Sequence, residues 1–109
     1  MNVVYTDDFR EDLRLQAAWY AGRKDEALGM RYATAVIEAV ETLLVNPHLG
    51  IKCDFRSRKL KELRRILVDR PFHTHLIFYR IEGEDLVAAR VISGYRDLQR
   101  RLLQAPGAE

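Results

Sequence analysis

Five arginines and two closely spaced histidines carry most of the chemistry in this chain. Arg64, Arg65, Arg80, Arg90 and Arg96 are permanent cations whose forked N–H donors suit phosphates and carboxylates. Taken singly, each has a plainer use, pairing with a nearby carboxylate or with water. Taken together, they could line one functional surface. His73 and His75 can move protons near neutrality, because an unperturbed imidazole titrates at about 6.5. As metal ligands they fall short: His73-x-His75 offers two donors with no third or fourth to name, so neither metal nor cofactor is expected. Tyr79 reads as a core aromatic with a polar tip. The single cysteine, Cys53, cannot close an internal disulfide and reads as an inert small side chain. That usage fits a reducing, cytoplasmic setting.

The segments that must position these groups are legible from periodicity. Thr74–Ile81 and Leu86–Ile92 are β-branched, aromatic and aliphatic, joined by Glu82-Gly83-Glu84-Asp85, which is a hairpin signature. Alternation puts Arg80 on a face with Phe78 and Leu76, Arg90 with Ala88 and Ile92, and His75 with Ile77 and Tyr79. Whether the two arginines share a face depends on the hairpin register, since a slip of one residue reverses the answer. Leu63–Val68 reads as a third strand and Asn2–Tyr5 as a short first one, which must find a distant partner beside the later meander.

Between the first strand and the rest lie two amphipathic helices. Phe9, Leu13, Gln16, Ala17 and Tyr20 form one stripe, with Trp19 off it and facing a second contact surface. Asp8 followed by Glu11 has capping-box spacing. Asp25 can cap a second helix with the stripe Leu28, Tyr32, Ala35, Val36, Ala39, Val40, Leu43 and Leu44, stopped by Asn46-Pro47. The order β-α-α-β-β-β argues for an α+β fold: an N-terminal strand, then an antiparallel helical hairpin laid on a small antiparallel sheet. One domain over 1–103 is expected, with a short helical turn in Arg96–Leu103 and a fraying tail over 104–109.

Charge is uneven. Residues 1–50 hold 5 Lys/Arg against 8 Asp/Glu (−3), and residues 51–109 hold 13 against 8 (+5), which together make the net +2. Lys52–Arg65 alone carries seven basic residues against two acidic ones. Such density attracts nucleic acid or an acidic protein. The N-terminus shows no signal-peptide pattern, and no apolar run nears the roughly 18 residues of a membrane span.

Three local motifs, in order and at matching spacing, resemble the RelE/ParE superfamily of toxin–antitoxin toxins. They are the helix end Leu43-Leu44-Val45-Asn46-Pro47-His48-Leu49-Gly50, the strand Leu76-Ile77-Phe78-Tyr79-Arg80-Ile81, and the exit Arg90-Val91-Ile92-Ser93-Gly94-Tyr95-Arg96-Asp97-Leu98. The strand and exit are more similar to the ParE branch. That resemblance implies a toxin inhibiting DNA gyrase by protein–protein contact, with no sequence-specific nucleic-acid binding, neutralised by a cognate antitoxin whose acidic segment folds onto it. The target surface would comprise Arg64, Arg65, Arg80, Arg90, Tyr95 and Arg96. The alternative is a RelE-like ribosome-dependent messenger RNA endoribonuclease relying on Arg96, Tyr95 and Arg64. Cutting RNA through its 2′-hydroxyl needs a base and an acid as well as cations. Where such family members often carry histidine, this chain has Ser93, a poor proton shuttle. A degenerate toxin keeping only its antitoxin contact is the third reading.

Overall fold

The computed structural model describes residues 1–108. Its elements are β1 (Asn2–Tyr5), α1 (Asp7–Arg23), α2 (Glu26–Val45), β2 (Ile51–Lys52), a single 3-10 turn (Arg58–Leu60), β3 (Arg64–Leu67), β4 (His75–Glu82), β5 (Asp85–Ser93) and α3 (Leu98–Leu102). The five strands form one sheet in the order β1-β5-β4-β3-β2. All neighbours are antiparallel except β1, which runs parallel to β5. The α+β architecture read from the sequence is the one observed, with the distant partner of β1 being the last strand. β2 was not anticipated; its two residues pair with Arg65 and Arg64.

Helix α1 starts earlier than its acidic residues suggest. The cap is Thr6, whose hydroxyl accepts from the Phe9 N–H at 3.0 Å and donates to the Ala89 carbonyl at 2.8 Å. The expected capping box at Asp8 and Glu11 does not form; Glu11 instead pairs with Arg14. Thr6 wins because one hydroxyl fixes both the helix start and its attachment to β5, a tertiary gain that local spacing does not reveal. Asp25 caps α2 as expected, accepting from the Leu28 N–H at 2.9 Å. The two helices approach closely at Gly29, where a Cβ would sit 2.6 Å from the Ala17 carbonyl oxygen.

Both faces of the sheet are covered. The helical hairpin buries Phe9, Tyr32, Val36, Val40 and Leu43 against Ile77, Tyr79, Leu86, Ala88 and Val91. On the opposite face, Leu60, Leu63 and Leu102 close over Leu76, Phe78 and Ile92. Burying each such side chain is worth about 1.5–3 kcal/mol. The C-terminal exit is therefore part of the second core as well as surface.

The β4–β5 ladder slips by one residue between Phe78 and Tyr79: Phe78 pairs with Arg90, and Tyr79 with Ala88. Ala89 is left without an opposite residue, which makes a β-bulge. Beyond the bulge, Arg80 faces Val87. Directly opposed residues point to the same face, so Arg80 and Arg90 leave the sheet on the side of Phe78.

The tail is described as far as Ala108, whose N–H bonds the Ala105 carbonyl at 3.2 Å, while Gln104 gives its carbonyl to Arg90 at 2.7 Å. The end of the expected tail, Glu109, lies outside the described residues.

Candidate functional site

Chain segments distant in sequence meet beside the second core. The basic loop between β2 and β3 is pinned by Phe55, Leu60 and Leu63 packing on the sheet. It is also clamped to α3: the Gln99 side-chain oxygen accepts from the Arg56 N–H at 2.7 Å and the Ser57 N–H at 3.0 Å. Lys52, Arg56, Arg58, Lys59 and Lys61 remain exposed. The density of positive charge in the sequence thus becomes a cationic surface held against the C-terminal exit. That exit turns into α3 through Asp97, whose φ of 52° is a left-handed conformation uncommon outside glycine.

The sequence-predicted arginines separate into different environments. Arg65 is half-buried and lines a groove of about 190 Å³ with Ile51, Leu67, Leu76 and Tyr95. Tyr95 is 57% exposed, and its hydroxyl donates to the His73 carbonyl at 3.2 Å. Arg96, next to it, is exposed, with no side-chain partner among the described residues. Arg65 and Tyr95 thus meet in one groove, and Arg96 follows Tyr95 directly in the chain. Arg64 lies on the other face, opposite Tyr79, and its Nη1 braces the chain turn by donating to the carbonyls of Gly50 (2.8 Å) and His48 (3.3 Å). Arg80 sits at the far end of β4, paired with Glu82 at 2.8 Å.

Arg90 is interior. Its guanidinium makes a forked ion pair with Asp12 of α1, Nε to Oδ2 at 2.7 Å and Nη2 to Oδ1 at 3.0 Å. Nη1 donates to the carbonyls of Leu102 (3.2 Å) and Gln104 (2.7 Å). The Val91 N–H also donates to Asp12, at 3.1 Å. Burial pushes the Asp12 carboxyl up, and Arg90 and the Val91 N–H oppose that. The residue expected on a target surface therefore ties α1, β5 and α3 together. Sequence reasoning missed Asp12. The signal was available: it lies three residues after Phe9 and four before Gln16, so a carboxylate occupies the buried stripe and requires a partner.

Two of the groups able to transfer protons, His75 and Tyr79, are engaged in the interior, whereas His73 is exposed. His75 is buried between two phenols, its Nε2 2.8 Å from the Tyr20 hydroxyl and its Nδ1 3.2 Å from the Tyr32 hydroxyl. Burial lowers its pKa to about 4, so the ring is neutral at pH 7. The Tyr79 hydroxyl donates to the Pro47 carbonyl at 2.7 Å and accepts from the Gly50 N–H at 2.8 Å. Burial raises its pKa against the pull of Gly50 and Arg64. The Cys53 thiol is likewise pushed up by burial, with Arg65 pulling it down. Among the described residues no cluster of three or more His, Cys, Asp or Glu is placed to hold a metal. No helix of the described residues is long and apolar enough to cross a membrane.

The fold is a five-stranded α+β scaffold with a helical hairpin on one face and a cationic loop clamped to its C-terminal exit. In a solved structure titled "Chromosomal ParDE TA system from P. aeruginosa", one chain superposes with a TM-score of 0.72 at 15% identity, covering 87% of this chain and 97% of that one. At that identity the likeness concerns the fold alone. The family model described as the ParE toxin of the type II toxin-antitoxin system, parDE, matches residues 3–98. The chain belongs to the ParE toxin family. No curated protein matches it.

Proposed function

We propose that this chain is the toxin of a type II toxin–antitoxin pair, acting in the cytoplasm by gripping DNA gyrase rather than by turning over a substrate. Family membership supports the toxin role. The observation favouring binding over catalysis is the state of two proton-transfer groups, His75 and Tyr79, which leaves only the exposed His73 and Tyr95 near the cations. His75 is walled in between Tyr20 and Tyr32, and Tyr79 holds the Pro47–Gly50 corner. Meanwhile Arg65 and Tyr95 line an open groove, Arg96 next to Tyr95 in the chain is exposed, and so are the lysines and arginines of the loop. Cations without a poised acid and base stabilise a bound acidic partner but do not cleave RNA. The antitoxin in this reading brings an acidic segment that folds on binding and is steered by the basic half.

One observation keeps the ribonuclease reading in play: the Tyr95 hydroxyl reaches the His73 carbonyl, so an exposed phenol stands among the cations. A gyrase supercoiling assay run beside a translating extract separates the two. Supercoiling should be inhibited by the wild type and at least tenfold less by Arg65→Glu/Arg96→Glu, with no codon-positioned cuts in the messenger. Clean cuts, with supercoiling untouched, would sink the gyrase assignment. Deleting everything after Gly94 is a poor alternative, because it also removes Leu102 from the second core.

A further inference from the structure

A groove of about 380 Å³ opens between α1 and the ends of β4 and β5, lined by Leu15, Gln16, Trp19, Tyr20, Thr74, His75 and Ser93. Its walls are mostly apolar, Trp19 is 55% exposed, and the Arg23 guanidinium lies 4.7 Å from the indole centroid. Mostly apolar clefts of this size with a few fixed polar groups are the usual form of small-molecule sites.

The polarity of the groove lining follows from a chain of hydrogen bonds. The Val91 carbonyl can only accept, so the Gln16 nitrogen donates to it at 2.7 Å, and the Gln16 oxygen must face the other way. That oxygen lies 2.9 Å from the Tyr32 hydroxyl and takes its only proton. The Tyr32 oxygen can then only accept from His75 Nδ1, which fixes the proton on Nδ1 and leaves Nε2 bare. Nε2 in turn takes the Tyr20 proton. At the end of the chain, the Tyr20 oxygen has lone pairs but no proton to offer. Tyr20 and His75 both line the groove, and their bond is partly buried. The Thr74 and Ser93 hydroxyls can rotate to donate or accept and do not discriminate, and the Gln16 amide, also in the lining, has a second N–H beyond the one given to Val91.

We infer that this groove is a small-molecule site for a planar, largely apolar compound that presents one N–H or O–H donor to the Tyr20 oxygen, with Trp19 and Leu15 against its apolar surface. This goes beyond the toxin reading and does not depend on it. A buried polar group left unmatched discriminates strongly between ligands, so an isostere lacking the donor should be rejected.

The probes are indole and 1-methylindole, titrated into the full-length ¹⁵N-labelled protein and followed by NMR. Indole should bind saturably, with shifts at the Trp19 indole N–H and the Thr74 and His75 amides, at least tenfold tighter than 1-methylindole. In Tyr20→Phe the two affinities should converge, and Trp19→Ala should weaken both. Equal affinities in the wild type, or no saturable binding by either, would overturn the proposal. Should Tyr20→Phe fail to fold, the His75 ring nitrogen shifts of the wild type decide: a proton on Nδ1 is required, and a proton on Nε2 refutes the chain.

Discussion

Replacing Asp12 with alanine should destabilise the protein by about 3–5 kcal/mol, the range for breaking a buried ion pair from one side. The reasoning starts from burial: the side chains of Arg90 and Asp12 are 8% and 5% exposed. Asp12 receives three hydrogen bonds, two from Arg90 and one from the Val91 N–H. Truncation strands a guanidinium that water scarcely reaches and leaves an interior N–H without its acceptor. The carbonyls of Leu102 and Gln104 still accept from Arg90, but they do not neutralise it. Urea unfolding followed by circular dichroism measures the loss. The double variant Asp12→Leu/Arg90→Met removes both charges and should recover at least about 1 kcal/mol over Asp12→Ala, because a stranded charge costs more than an apolar pair. Amide exchange at Leu102–Gln104 should quicken in any variant lacking Arg90. A loss below about 1 kcal/mol for Asp12→Ala would refute the claim that this pair holds the C-terminal exit to α1.

Three further outcomes follow from the same contacts. His75 has a folded pKa of about 4 against 6.5 when unfolded, so the unfolded chain takes up the proton first as pH falls. Stability should be constant above about pH 6.5, decline through the window down to about pH 4, and lose in total about 2 kcal/mol after discounting for solvent screening. His75→Phe should remove that slope, and a slope persisting unchanged would place the titration elsewhere. Gly50→Ala should cost about 1–3 kcal/mol, because a Cβ there would sit 2.5 Å from the Tyr79 hydroxyl, and Tyr79→Phe should cost a similar amount by orphaning the Gly50 N–H. Calorimetric melting of both checks this, and a neutral Gly50→Ala would show that the corner gives way freely. Finally, antitoxin association measured by stopped flow should slow at least tenfold between about 50 mM and 500 mM salt, as rim charges govern on-rate; a flat response would remove the electrostatic steering.

Much of the architecture could be read from the residue order because periodicity is local. The stripe Phe9–Leu13–Ala17–Tyr20, the Asp25 cap and the Asn46-Pro47 stop each act within a few residues, so α1 and α2 were legible along with their packing onto the sheet. The acidic first half and the cationic second half were legible too, as was the family, through motifs that span most of the chain.

The fate of the individual arginines was not legible. A strand alternates with period two, so the single extra residue at Ala89 decides which side chains share a face, and local pattern does not place a bulge. Asp12 and Arg90 are 78 positions apart, and only the folded chain brings them together. The same holds for the Gln99 clamp on the basic loop and for the His75 tautomer, which a glutamine from α1 and a tyrosine from α2 impose jointly. Residue order set which segments form and how they are charged. Tertiary contact decided which cations face water and which are held inside, because a buried charge stays only where a distant partner meets it.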